Sequence, residues 1–203
     1  MKQKLTIGAD PFPPYQYIDS TGVLRGSDLL IVQTAGEKAG FEIELIIDDW
    51  AVVWKRFELG ELDAVFQLPK TPEREKLYLF SKLLRNANTE VITGDPSIEI
   101  SALSEIETHK YTLGLIEGIA YGADADALNA DRKIFFSNNE KLLKAISDRQ
   151  VTFGIFDQGV KQFLMDKLSI NNIRVISALT FIRPLFIAFR NAEIRDRFDR
   201  YLA

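Results

Sequence analysis

No cysteine occurs anywhere in the chain, so disulfides, thiolate metal sites and cysteine nucleophiles are excluded. Histidine is almost as scarce. The single one, His109, stands in the polar run Glu105 to Lys110 and reads as part of a solvated helix end, which removes most histidine-based catalysis and metal chemistry. A surplus of positive charge is missing too: 25 basic residues face 29 acidic ones, a formal net charge of −4. That leaves neither the basic footprint of a nucleic-acid binder nor a polybasic membrane anchor, and no nucleic-acid partner is expected. No apolar run approaches the length of a bilayer span, and the opening MKQKLTIGAD has no signal-peptide core. Such an opening fits a cytosolic chain, or one whose export signal or anchor has been removed.

What is present is ordinary globular material, 46% hydrophobic over 203 residues, enough to build cores in one large domain or two small lobes. Strand-like runs at Lys4 to Ala9, Glu42 to Ile47, Asp63 to Phe66 and Glu90 to Thr93 are separated by helical stretches, which is α/β order. The spacing predicts a first helix with Asp28 as N-cap and Leu29, Leu30, Val32 and Ala35 on its apolar side, ending near Gly40. Trp50, Val53, Trp54 and Phe57 predict a second that stops at Gly60. After the turn-rich Gly94 to Ser97 the alternation restarts, with strands near Tyr111 to Leu115, Lys133 to Phe136, Val151 to Phe156 and Ile173 to Ile176. Helices are expected over Ser101 to Thr108, Ile119 to Asn129, Asn138 to Asp148 and Asp157 to Leu168. A last apolar run, Pro184 to Phe189, precedes a charged helix from Ala192 to Tyr201.

Five places could carry chemistry. In Asp63 to Arg74 an apolar strand runs into Pro69 and Pro72, which forbid regular hydrogen bonding there, and Arg74 is delivered where strand carboxyl ends open onto solvent. Its rigid fork suits a carboxylate or phosphate; the alternative is a surface arginine paired with Glu73 or Glu75. In Asp10 to Tyr17 a proline-stiffened turn displays Phe12, Tyr15 and Tyr17, two of which are expected in the core. Trp50 is either a ligand wall or a core anchor. At Leu115 to Gly122 a strand turns at Gly118 into a helix whose amides could hold an anion, although no phosphate-loop pattern is present. Asp157 follows a buried-looking strand and opens a helix, where it can cap the amides and also receive an ammonium group.

Taken in order, these segments resemble the type II periplasmic binding proteins, specifically the bacterial extracellular solute-binding family that serves polar amino acid ABC transporters. The opening strand leads to FPPY at Phe12 to Tyr15, matching a YPPF-like turn. Gly26-Ser27-Asp28 loosely matches a G-F-D helix start. Trp50, Phe57, Gly60, Asp63 and Ala64 fit a W-x6-L-x2-G-x2-D-A pattern with phenylalanine for leucine, and Thr71 to Arg74 with Phe80-Ser81 reproduce TPER-x5-FS. The likeness covers nearly the whole chain.

The resemblance implies a two-lobed α/β flytrap with two crossing strands, Glu90 to Gly94 outward and Ile182 to Ala188 returning. Residues 1–92 and 183–203 would form lobe 1, and residues 93–182 lobe 2. It implies Arg74 for a ligand carboxylate, Asp157 for its ammonium, Phe12 for stacking, and backbone amides at Gly118, Ile119 and Ala120. Tyr15, Trp50, Gln67, Pro69 and Lys70 complete the expected ligand contacts. Pro69-Lys70 stands where amino acid binders usually carry serine or threonine. The implied role is capture of a small carboxylate-bearing solute outside the cytoplasm, without cofactor or catalysis, for a membrane permease. A receptor's sensor module is the alternative, and a cyclohexadienyl dehydratase-like enzyme a more distant one.

Overall fold

A computed structural model describes residues 2–202. The chain divides into two compact units, Met1–Asn86 with Arg183–Ala203, and Ala87–Ile182. The first unit holds β1 (Gln3–Ala9), β2 (Tyr17–Ile18), β3 (Leu24–Arg25), α1 (Ser27–Lys38), β4 (Phe41–Ile47), α2 (Trp50–Glu58), β5 (Ala64–Leu68), α3 (Pro72–Leu77) and β6 (Leu79–Phe80). The chain leaves it within β7 (Arg85–Thr93). The second unit holds α4 (Glu105–Thr108), β8 (Leu113–Ile116), α5 (Ala123–Asp126), β9 (Lys133–Phe136), α6 (Asn139–Ser147), β10 (Phe153–Asp157) and α7 (Gln158–Leu168). The return lies within β11 (Arg174–Phe189), and α8 (Ala192–Asp199) closes the first unit.

In the first unit β1 pairs in parallel with β4 over seven residues, from Gln3 opposite Phe41 to Ala9 opposite Ile47, and in parallel with β5 on its other side. Parallel neighbours need a crossover, and α1 supplies it between β1 and β4. The last part of β11 adds antiparallel to β5, with Phe189 opposite Ala64, and β6 pairs with β11. Leu5, Ile7, Phe41, Phe66, Ile187, Phe189 and Phe198 are fully buried in the core beneath. Leu29, Val32, Ala35 and Gly36 face it from α1, whereas Leu30 is 63% exposed, so the apolar stripe is narrower than expected. Gly36 permits the close approach of helix to sheet: a methyl added there would fall 2.3 Å from Ile43 Cδ1.

In the second unit β10 lies between β7, antiparallel, and β8, parallel, and β9 follows in parallel beyond β8. Its core gathers Val91, Ile106, Leu113, Leu115, Phe153, Ile155 and Ile176. Leu142, Leu143 and Ile146 are buried along α6, as their helical spacing predicts.

Several elements differ from the sequence reading. The helix expected over Ser101 to Thr108 shrinks to α4, because Glu105 Oε1 accepts from the backbone amides of Ser101 and Ala102 at 2.8 and 3.0 Å and holds that stretch as a turn. The one expected over Ile119 to Asn129 shrinks to α5, since Gly118 (φ 78°) and Gly122 (φ 106°) keep the backbone out of the helical region. The runs Ile173 to Ile176 and Pro184 to Phe189 fall, but for Ile173, in the single sixteen-residue β11, whose Ser177, Thr180 and Arg183 interrupt the apolar signal between them. Pro72 opens α3 instead of forbidding a helix, because the first turn has no use for its missing N–H. Asp28 is not a cap: α1 begins at Ser27 behind Gly26, and Asp28 is buried in its first turn.

Candidate functional site

In the first unit the sequence-predicted residues fall into two groups. One surrounds an ion pair that sequence reasoning missed. Arg85 Nε donates to Asp28 Oδ2 at 2.7 Å, its Nη2 donates to Gln67 Oε1 at 3.2 Å, and its guanidinium lies 3.5 Å from the centre of the Tyr15 ring. The Gln67 side-chain amide donates to Asp28 in turn. Gln67 reaches this position from a positive φ of 71°, at a break in the register between β5 and β11, a costly conformation for a residue with a side chain. Burial pushes the Asp28 carboxyl above its ordinary pKa, opposed by the charge and hydrogen bond of Arg85. Gly26 fits the start of α1 under the aromatic turn: at φ 131° it leaves room for the Tyr15 carbonyl, which accepts from Asp28 N at 3.0 Å.

The same turn contains a cis peptide between Pro13 and Pro14 and stacks Phe12 on Tyr15, ring centres 6.0 Å apart. Phe12 is buried, while Tyr15 and Tyr17 are partly exposed, so one of the three rings is core and not two. Asp10, just before it, is a second residue the sequence reading passed over. Its carboxyl is raised to about 7 because burial desolvates it; a backbone hydrogen bond and Arg183 oppose the shift, and Asp49 adds to it.

The second group centres on Arg74. Thr71 caps α3 by accepting from Arg74 N, and the Arg74 guanidinium folds back to donate from Nη1 to the Pro69 carbonyl at 3.3 Å. Its carbon lies 4.9 Å from the centre of the Trp54 ring, itself stacked on Trp50 at 5.6 Å. Trp50 is buried and anchors this stack. Burial lowers the Arg74 pKa, and among the described residues no carboxylate pairs with it; the alternative pairing with Glu73 or Glu75 is not formed. Lys70 sets its ammonium 4.4 Å from the Phe186 ring centre and 5.7 Å from that of Phe80.

In the second unit Asp157 ends β10 and caps α7, its Oδ1 accepting from Gly159 N at 2.8 Å and Val160 N at 3.3 Å. It is 3% exposed. Gly118, Ile119 and Ala120 follow β8, the parallel neighbour of β10, so they stand at the same carboxyl edge of the sheet as Asp157. Their amides belong to a turn and not to a helix start, which corrects the expected anion-binding helix end. Tyr121 closes this turn by accepting from Ile116 N at 3.0 Å. A buried pair, Lys161 with Glu90, ties α7 to the other face of β7. A cavity of about 730 Å³ also opens in this unit among Leu103, Glu107, Tyr121, Asp124, Ala178 and Phe181, and none of the expected ligand residues lines it. Among the described residues no group of acids and histidines could hold a metal, and no helix is long and apolar enough to cross a membrane.

Comparison with known proteins gives these features a family. A model of the bacterial extracellular solute-binding proteins, family 3, matches residues 5–200. A probable amino-acid ABC transporter-binding protein of Haemophilus influenzae is 23% identical over 128 residues, 62% of this chain and 49% of that one, so the match spans about half the length of this curated relative. Among solved structures, a histidine kinase sensor domain with similarity to periplasmic binding proteins has a TM-score of 0.89 at 14% identity, over 99% of this chain and 89% of that one. An ancestral arginine-binding protein bound to arginine has a TM-score of 0.86 at 21% identity, over 100% and 92%. These likenesses establish the type II periplasmic-binding-protein fold, an α/β fold with the order of elements described above. With a family match running from Leu5 almost to the carboxyl terminus, the chain belongs to the bacterial extracellular solute-binding proteins of family 3.

Proposed function

We propose that this protein captures a small carboxylate-bearing solute, an amino acid or a near relative, outside the cytoplasm and delivers it to the permease of an ABC transporter. The observation that carries the reading is Arg74: a partly buried guanidinium, desolvated and without a carboxylate partner among the described residues, backed by the Trp54 ring. A cation held so is poised for an acid group from outside the chain. Asp157, a buried carboxylate at a sheet edge of the second unit, supplies the complementary charge for an ammonium. Each anchor is built by its own unit. The Haemophilus relative's name and the arginine held by the ancestral protein agree with an amino acid ligand.

The test is a thermal-shift screen across amino acids, dicarboxylates and aromatic acids, since a ligand at 100 times its dissociation constant adds about 2.7 kcal/mol to the folded state. Calorimetry then compares the best ligand on the parent and on Arg74→Ala. A charge-assisted bond is worth about 1.5 to 3 kcal/mol, so the variant is expected to bind at least about tenfold more weakly. Equal affinity would show that Arg74 is not the clamp.

The likeness to a kinase sensor domain favours a second reading, in which the same capture informs a receptor instead of feeding a permease. The neighbouring coding sequence separates the two: a transmembrane segment and signalling domain in the same chain, or a cleavable signal beside permease genes.

A further inference from the structure

We infer that Thr89 is a further ligand-binding residue, its hydroxyl accepting a hydrogen bond from the ligand's ammonium beside Asp157. The inference rests on the reading above, in which Asp157 receives that ammonium.

The antiparallel pairing of β7 with β10 places three rungs on one face of the sheet: Thr93 opposite Phe153, Val91 opposite Ile155, and Thr89 opposite Asp157. Directly opposed residues point to the same side, and alternate residues along a strand share it. Phe153, Val91 and Ile155 are core residues, so the face runs apolar until it reaches the carboxyl end of β10, where it turns polar. Thr89 is 1% exposed there, and its Oγ1 has no hydrogen-bond partner among the described residues.

The other buried polar side chains of the strand are provided for. Thr93 Oγ1 accepts from Asp95 N at 3.1 Å, and Glu90, on the opposite face, is paired with Lys161. Burying a hydroxyl without a partner opposes folding, and valine has the same shape without that cost. A threonine kept at the last rung, against a carboxylate, matches a hydrogen-bond donor of positive charge brought from outside the chain. An anion would meet Asp157 and be repelled.

The experiment uses the full chain and four variants: Thr89→Val, Thr89→Ser, Asp157→Ser and Arg74→Ala. Each is melted without ligand. The parent is screened by thermal shift against the L-amino acids, and the one giving the largest shift is titrated by calorimetry alongside its analogue lacking the α-amino group. Thr89→Val is expected to melt at or above the parent temperature and to bind the amino acid about tenfold more weakly, the loss of one hydrogen bond to a charged group. Thr89→Ser is expected to bind within about threefold of the parent, and the valine penalty to vanish for the analogue without the amine. A valine variant that binds as tightly as the parent, shows the same penalty with both compounds, or melts far below the parent overturns the assignment. If Asp157→Ser and Arg74→Ala weaken binding and Thr89→Val does not, only the role of Thr89 falls. If no variant changes binding, or no amino acid shifts the parent, the amino acid reading falls and takes this one with it.

Discussion

Arg85 Nε and Asp28 Oδ2 lie 2.7 Å apart although 57 residues separate them, and both side chains are largely shielded from water. A buried pair is costly to assemble and costlier to break, because the survivor is left charged in a poorly solvated place. Arg85→Met is therefore expected to destabilise the protein by about 3–5 kcal/mol in urea unfolding. The double variant Arg85→Met with Asp28→Leu should recover part of that loss. A double variant as unstable as the sum of the two single ones would show that the pair is not coupled.

Asp10 ties stability to pH. Its folded pKa, about 7, stands above the ordinary 3.8, so the folded state holds a proton that the unfolded state has released. The contribution is fully present below about pH 4 and is lost as pH rises through about 7, with an upper bound of about 4 kcal/mol. Urea midpoints of the parent should fall between pH 5 and 8, and Asp10→Asn should flatten that decline. An unchanged slope in the variant would assign the decline to other groups.

Asp157 combines two roles that substitution can separate. Serine can still cap α7 but carries no charge. Asp157→Ser is expected to keep unfolding stability within about 1 kcal/mol and to weaken an amino acid ligand at least about tenfold. Alanine should lose the cap as well, costing about 1 kcal/mol more. Equal ligand affinity in the serine variant would leave capping as the residue's whole role.

Gly26 and Gly22 compare close approach with backbone conformation alone. Both have positive φ, 131° and 81°, but a methyl on Gly26 would fall 2.0 Å from the Tyr15 carbonyl oxygen, whereas none of the described residues comes within 4 Å of one on Gly22. Gly22→Ala should cost about 1 kcal/mol and Gly26→Ala distinctly more, about 3 kcal/mol or above, since the start of α1 has to move. Equal midpoints in urea would contradict this.

Much of the architecture was legible because it rests on local rules. Alternating apolar runs gave the strands of both units nearly in place, Lys133 to Phe136 at its observed bounds, and the buried face of α6 followed from Leu142, Leu143 and Ile146. Asp157 was readable as a cap because a cap bonds amides two and three residues away. The misreading of Asp28 arose where distant atoms decide. Asp28 looks like a cap in sequence, but its partners are Arg85 and Gln67, from two other elements. Ile119 to Asn129 fails for a local reason instead: Gly118, Gly122 and the bond from Ile116 N to the Tyr121 hydroxyl confine the helix there to Ala123–Asp126.

By itself the sequence determined the α/β order, the absence of thiol and most histidine chemistry, and the delivery of Arg74 just beyond an apolar strand, because periodicity, composition and proline act over a few residues. Only the tertiary structure decided which polar groups are paired and which are not: that Arg85 pairs with Asp28, that Asp10 keeps its proton near neutrality, and that the Thr89 hydroxyl is enclosed without a partner among the described residues. Pairing and desolvation depend on what lies within a few ångströms, and those neighbours come from segments far apart along the chain.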